Sequence, residues 1–426
     1  MHAPSAMSPA HPLTTPAWHD GLGTSAPGAP ETFFQRLIVW FCGTILGLLA
    51  ADVVIGTYNA GLSPLKPALF TMGAFVSCVG LSFISGVRLA PVALLVLLLP
   101  AVRLFDAALL SRSVTTLQGQ VGMDHLRVML VIVAILCVLS TAQGMRAVRW
   151  AAILAIFMTT GSEVAEMLGI FKFSSIQGRY AGFNSHPNFP PVLLCEMLGI
   201  TFALCRSFKF NCLLIGVAVV GVALTYGRSG FIVLALMSGT YLLMNARRNL
   251  PFLLIMAAIA IPAAGVGLAI LQSQTEQGIT KDKNTSGRLQ AIYELDFEKL
   301  KSPERAKDLA DAWEGVMKKP LLGHGTGVSG VLWAPHNEYV SLWLELGIPG
   351  LLLFAGTLGS LVVRSVMTGG KAGYLLFAII AYTPAGQGRI EMPHYYLALA
   401  TAAFILWPKK FRLAIFSPPA QTASPA

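Results

Sequence analysis

Blocks of about twenty apolar residues recur along this 426-residue chain, and that recurrence constrains the fold more than any other feature. Inside a bilayer no water satisfies backbone N–H and C=O groups, so each block must be a helix that closes its own hydrogen bonds. Twelve spans are expected, at 34–57, 67–86, 89–105, 127–144, 148–169, 189–205, 211–226, 229–246, 250–272, 338–363, 372–387 and 394–411. Composition agrees: only 12% of residues are charged, against about 25% in a soluble domain. The expected fold is therefore all-α and polytopic, with one membrane domain over 34–413. Residues 1–33 are rich in Pro, Ala, Ser and Thr, lack an early apolar core and read as a disordered tail, not a cleavable signal; 414–426 form a short C-terminal tail. The six cysteines lie in or beside apolar blocks without metal-binding spacing and read as small helix residues.

The net charge of +10 raises the possibility of a nucleic-acid partner, but its distribution excludes one. Arg36, Arg88, Arg146 with Arg149, Arg206 with Lys209, Arg247 with Arg248, Arg364 with Lys371, and Lys409, Lys410 and Arg412 fall in alternate loops. This is the positive-inside pattern, and with an even number of spans it places both termini in the cytosol. The long connection 273–336 then lies on the outer face. Two amphipathic helices are expected there. "SGRLQAIYELDFEKLK" opens at Ser286, and "SPERAKDLADAWEGVMKK" has Ser302 as N-cap and Pro303 at its first helical position. In the second, Ala306, Leu309, Ala310, Trp313, Val316 and Met317 share one face, while Asp308, Asp311 and Glu314 read as a solvated face. The glycine-rich "PLLGHGTGVSG" then leads back to His336.

Arginine in short outer loops runs against the positive-inside rule and calls for a reason. Arg179 stands in "QGRYAGFNSHPNFPP", Arg228 in the tight hairpin "TYGRSGF", Arg288 in "NTSGRLQ" and Arg389 in "GQGRIEMPHYY". All four are expected on one face. Guanidinium offers a rigid fork of donors that suits phosphate, and adjacent glycines (Gly182, Gly227, Gly230, Gly287, Gly388) let backbone N–H groups approach an anion. The site expected is for pyrophosphate. The bland alternative is snorkelling to lipid phosphates or pairing with Glu163, Glu166 or Glu391.

Histidine is the side chain best poised for proton transfer near neutral pH. His336, in "PHNEY", stands where the outer loop enters the tenth span and is expected to cap it, with Asn337 and Glu338 beside it to orient the ring. His186 and His394 are rival candidates in outer loops, and His324 reads as a loop residue. No paired-acid motif for a metal-bound nucleotide sugar, no Walker loop and no dinucleotide fingerprint is present, so neither metal nor cofactor is expected. Asp52 and Glu196 are carboxylates inside spans, readable as proton relays or as structural hydrogen-bonding groups.

Taken in order, "GRYAGFNSHPN", "YGRSG", "SGRLQ", "AWEGVMKKPLLGHG" and "PHNEYVSLWLELGIPGLLLF" resemble the O-antigen ligase and polymerase superfamily over roughly residues 170 to 365. The resemblance implies an inverting, metal-independent glycosyltransferase of the C-type architecture in the inner membrane of a Gram-negative bacterium, working at the periplasmic face. It implies a glycan on undecaprenyl pyrophosphate as donor and, for the ligases, a sugar hydroxyl of lipid A–core as acceptor. On this likeness His336 is the general base or acceptor-positioning residue, and Arg179 and Arg228 hold the pyrophosphate. Arg288 matches the loop arginine, Arg389 is added on sidedness alone, and Gly182, His186, Asn188, Asn337 and Glu338 support the site. A polymerase acting on a second lipid-linked glycan shares these motifs. A lipid-linked glycan transporter would also need outer arginines, but not His336, and would be expected to carry internal repeats. A relative that glycosylates secreted proteins would be longer, with an added soluble C-terminal portion.

Overall fold

The computed structural model describes residues 33–110, 118–176, 179–276, 303–386, 388–407 and 412–416. The expected tails 1–33 and 414–426 fall mostly outside these residues, and the first loop helix with Arg288 falls outside them entirely. Helices follow in the order α1 (Phe33–Ala50), α2 (Pro67–Ser85), α3 (Pro91–Phe105), α4 (Gln118–Ser140), α5 (Gly144–Met167), α6 (Phe189–Leu204), α7 (Phe208–Thr225), α8 (Arg228–Glu276), α9 (Pro303–Lys318), α10 (Glu338–Met367), α11 (Gly373–Tyr382) and α12 (Pro393–Leu406). Among the described residues eight of these are long and apolar enough to cross a membrane, and α6, α11 and α12 are shorter apolar helices. Each expected span has a helix at its position, the ninth as the continuation of α8 past a break at Asn249 (φ −126°, ψ 19°).

Small residues let these helices approach closely, as helices in lipid must, because apolar side chains gain nothing by leaving acyl chains for each other. Gly43 and Gly47 of α1 lie against α5: a Cβ at Gly43 would stand 2.7 Å from the Ala147 carbonyl, and one at Gly47 3.0 Å from that of Ala151. Gly199 of α6 makes the same approach to Leu375 of α11 (2.7 Å). The short helices α6 and α12 occupy the centre, buried on nearly every side. At about 1.5 Å per residue neither spans the ~30 Å hydrocarbon core, so surrounding helices complete their environment.

Two ends of the bundle are distinguishable. At one, the short strands Val87–Leu89 and Leu413–Phe416 pair antiparallel, Arg88 opposite Ala414. Arg364 donates to the Leu406 carbonyl at that same end. The other end gathers the start of α6, the close of α7, helix α9 and the starts of α10 and α12.

Helix α9 forms as expected but lies differently. Ala312 and Val316 are buried and Gly315 packs on Leu344 and Trp333, whereas Leu309, Trp313 and Met317 are exposed and Ala306 and Ala310 with them. The buried stripe is rotated from the most apolar one, because the close approach to α10 needs small residues rather than large ones.

Candidate active site

Helix α10 begins at a capped N-terminus. The Asn337 carboxamide oxygen accepts from the Tyr339 N–H (3.0 Å) and the Val340 N–H (3.3 Å), so Asn337, not His336, is the N-cap. His336 stands just before it at φ 49°, a left-handed conformation uncommon for a residue other than glycine. Backbone held there marks a position that the surroundings over-determine. The ring reaches toward α9, with Nε2 3.7 Å from an Asp308 carboxylate oxygen. Asp308 is still partly solvated, but its carboxylate lies beside the histidine ring. Glu338 does not orient the ring: it is buried, and its Oε2 accepts the Arg389 N–H (3.2 Å).

Arg179 sits in the 171–188 loop, 4% exposed. Its Nε donates to the Thr225 carbonyl (2.8 Å), and its Nη2 to the Asn188 carboxamide oxygen (2.9 Å). Both of these acceptors are neutral, and together they fix the orientation of the guanidinium. Thr225 closes α7, Tyr226 turns the chain at φ 52°, and Arg228 opens α8. The two arginines thus flank one tight hairpin. In the same loop the Asn188 N–H donates to His186 Nδ1 (3.3 Å). Gly182 adopts φ 51°, and a Cβ there would collide with Ser162. Its N–H is already given to Glu166 (3.0 Å), so glycine serves packing here and not anion binding.

The two histidines and the cations of this end share one electrostatic neighbourhood. Burial lowers the pKa of His186, and Arg179, Arg305 and His336 lower it further. Burial likewise lowers that of His336, Arg305 adds to the effect, and Asp308 opposes it. At neutral pH His336 is therefore an uncharged imidazole able to accept a proton. Arg305 and Asp308, three residues apart on α9, set its protonation from opposite directions. Sequence reading passed over Arg305 because it looks like one more charge on a solvated helix.

Arg389 takes a different place from the one expected. It is 1% exposed, its Nη2 is paired with Glu196, and its Nη1 donates to the Ile379 carbonyl (3.0 Å). His394 closes the cluster through Nδ1 to the other Glu196 oxygen (2.7 Å). The expectation of a pyrophosphate fork at Arg389 is thereby corrected: the fork is spent on a buried carboxylate. Glu196 and His394 are structural partners in the same cluster. A second cluster escaped the sequence reading: Arg103 of α3, 1% exposed, donates to Glu345 (2.8 Å) and Glu391 (3.0 Å). Lone glutamates in or beside an apolar run were the available signal, since a carboxylate there demands a partner.

The stretch "PLLGHGTGVSG" repairs a break in α10. Gly347 takes φ 68°, ψ −162°, which in practice only glycine adopts, and Pro349 has no N–H. The Leu344 and Glu345 carbonyls lose their intrahelical donors and accept instead from His324 N–H (2.8 Å) and Gly325 N–H (2.9 Å). The displaced Ile348 N–H goes to the Pro320 carbonyl (3.1 Å). Asp106, at the outer end of α3, accepts from the Thr326 N–H (2.6 Å) and hydroxyl (2.7 Å), tying down the far side of the loop.

Helix ends and loops thus bring His336, His186, Arg179, Asn188, Asp308 and Arg305 together, set Arg228 on the adjoining hairpin, and place Arg389 and Glu338 in the core behind them. Residues 213–355, from α7 through the first part of α10, match the family model described as O-antigen ligase, consistent with the superfamily that the motifs resemble. No curated protein sequence matches the chain.

Proposed function

We propose that this chain transfers a glycan from undecaprenyl pyrophosphate to a sugar hydroxyl of lipid A–core, at the periplasmic face of the inner membrane. The observation that carries the reading is the convergence of His336 with the Arg179 loop at one end of the membrane bundle, inside a chain whose segment 213–355 matches the O-antigen ligase family. The bond that breaks joins the anomeric carbon to the pyrophosphate oxygen, and the bond that forms joins that carbon to the acceptor oxygen. Negative charge grows on the departing pyrophosphate, and fixed cations opposite it lower the barrier by several kcal/mol. Arg179 and Arg228 take that role, with Arg288 from the outer loop. The acceptor hydroxyl loses its proton as it attacks. His336 receives it at Nδ1, the ring nitrogen turned away from Asp308, while the Asp308 carboxylate 3.7 Å from Nε2 stabilises the imidazolium that forms. His186 and Asn188 keep the Arg179 loop in register. Direct attack inverts the anomeric centre, and these groups supply charge and base without a metal.

Both substrates are lipids with reactive groups at headgroup depth, which accounts for a base at the mouth of a span. The positive-inside pattern then leaves both termini cytosolic.

The test is transfer by purified protein between undecaprenyl-pyrophosphate glycan and lipid A–core, in EDTA and without nucleotide. Product on lipid A–core is the expected result. Chain growth on the lipid-linked glycan alone would make the chain a polymerase built on the same chemistry. No product in either arm from folded protein would overturn the enzymatic reading in favour of a transporter.

A further inference from the structure

Glu166 is the penultimate residue of α5 and holds four backbone N–H groups. Its Oε1 accepts from Phe173 (2.8 Å) and Ser174 (2.5 Å), and its Oε2 from Ala181 (2.9 Å) and Gly182 (3.0 Å). These are the two arms of the loop that carries Arg179, and one buried carboxylate joins them. Four residues earlier, on the same face of α5, the Ser162 hydroxyl accepts the Phe183 N–H (3.3 Å). Beyond the arms, the loop is tied to the end of α7 through the Tyr180 N–H to the Leu224 carbonyl (3.2 Å) and through Arg179 to Thr225.

From this geometry we infer that Glu166 is the positioning residue for Arg179. It converts an irregular loop into a rigid mount, so that the guanidinium stands beside the Thr225–Arg228 hairpin before any pyrophosphate arrives. Backbone N–H groups bound to a carboxylate form strong, charge-assisted bonds, and this one carboxylate holds both arms at once. Preorganisation of this kind appears as affinity, because the bound state no longer has to order the loop. The inference rests on Arg179 being a pyrophosphate ligand.

The perturbation is Glu166→Gln. The amide keeps the size of the carboxylate but turns an NH₂ toward one pair of N–H donors, leaving that arm unheld. Binding of undecaprenyl pyrophosphate itself, without glycan or acceptor, is measured by native mass spectrometry on the purified full chain for wild type, Glu166→Gln, Arg179→Ala and the double variant. We expect Glu166→Gln to weaken binding about tenfold, the equivalent of one charged hydrogen bond. The double variant is expected to bind no more weakly than Arg179→Ala alone, since a mount without its arginine has nothing left to position. A defect that adds fully to that of Arg179→Ala would overturn the assignment, as would Glu166→Gln binding like wild type while Arg179→Ala binds weakly. Wild-type binding by Arg179→Ala refutes the arginine as ligand, and the inference with it. Should Glu166→Gln fail to fold, hydrogen exchange of the native chain decides: slow exchange at 173, 174, 181 and 182 is expected, and exchange as fast as an open loop would sink the mount.

Discussion

Replacing Arg389 by methionine separates a structural arginine from a substrate ligand. The guanidinium is enclosed, stacks 4.8 Å from the Tyr395 ring centre and is paired with Glu196, itself 0% exposed. Methionine fills much of the volume but takes away the guanidinium that neutralises the Glu196 carboxylate, leaving His394 beside it. Removing one member of a buried pair costs about 3–5 kcal/mol, chiefly from the stranded charge. Thermal unfolding in detergent, followed by tryptophan fluorescence, is the assay. At roughly 2 °C per kcal/mol for a large chain, the midpoint should fall by about 6–10 °C. Adding Glu196→Leu removes the stranded charge, and because apolar substitution of a whole buried pair is often neutral, at least half of the loss should return. An unchanged midpoint for Arg389→Met, together with lost binding of undecaprenyl pyrophosphate, would refute the argument and restore Arg389 to the donor site.

Five further outcomes follow from the geometry. His336→Ala should lower transfer by about 10²–10⁴-fold with unfolding unaltered, because the ring is over a third exposed; normal lipopolysaccharide in cells carrying only this variant would remove the base assignment. Transfer by the wild type should be level at neutral pH and fall on acidification with a midpoint below the ordinary histidine value of 6.5, since protonation disables a base whose pKa is depressed. Arg305→Gln removes a depressing charge and should move that midpoint up, whereas Asp308→Asn removes a supporting one and should move it down; identical pH profiles would show that another group titrates. Arg228→Lys keeps the charge but loses the fork, and should weaken donor binding by about tenfold or more, measured as an increase in donor KM. Gly347→Ala should cost at least about 1–3 kcal/mol in the same melting assay from its backbone conformation alone, before the collision of its Cβ with the Leu321 carbonyl is counted.

Much of the site was readable because its residues break a local rule. Arginine in a two-residue outer hairpin and histidine at the mouth of a span are anomalies against the membrane pattern, and Arg179, Arg228 and His336 became candidates that way. The same logic erred at Arg389, which is equally anomalous but answers a carboxylate 193 residues away in the chain. It missed Arg103 for the reverse reason: at the end of a span an arginine looks like an ordinary flank, and its partners Glu345 and Glu391 lie 242 and 288 residues distant. Asp308 and Arg305 were masked by the regular charge pattern of α9, whose orientation depends on which stripe finds a close-fitting neighbour.

By itself the sequence determined the positions of the helices, because hydrocarbon forces every long apolar block to satisfy its own backbone. Composition and motif order were enough for the class of protein and pointed to the end of the bundle where His336, Arg179 and Arg228 gather. Only the tertiary structure decided which charges are buried against each other and which gather at the end of the bundle. That choice turns on pairing between residues hundreds of positions apart, and on whether a guanidinium finds a carboxylate or a neutral carbonyl within reach. Arg389 found Glu196 and became part of the core; Arg179 found Thr225 and Asn188 and is held at the end of the bundle.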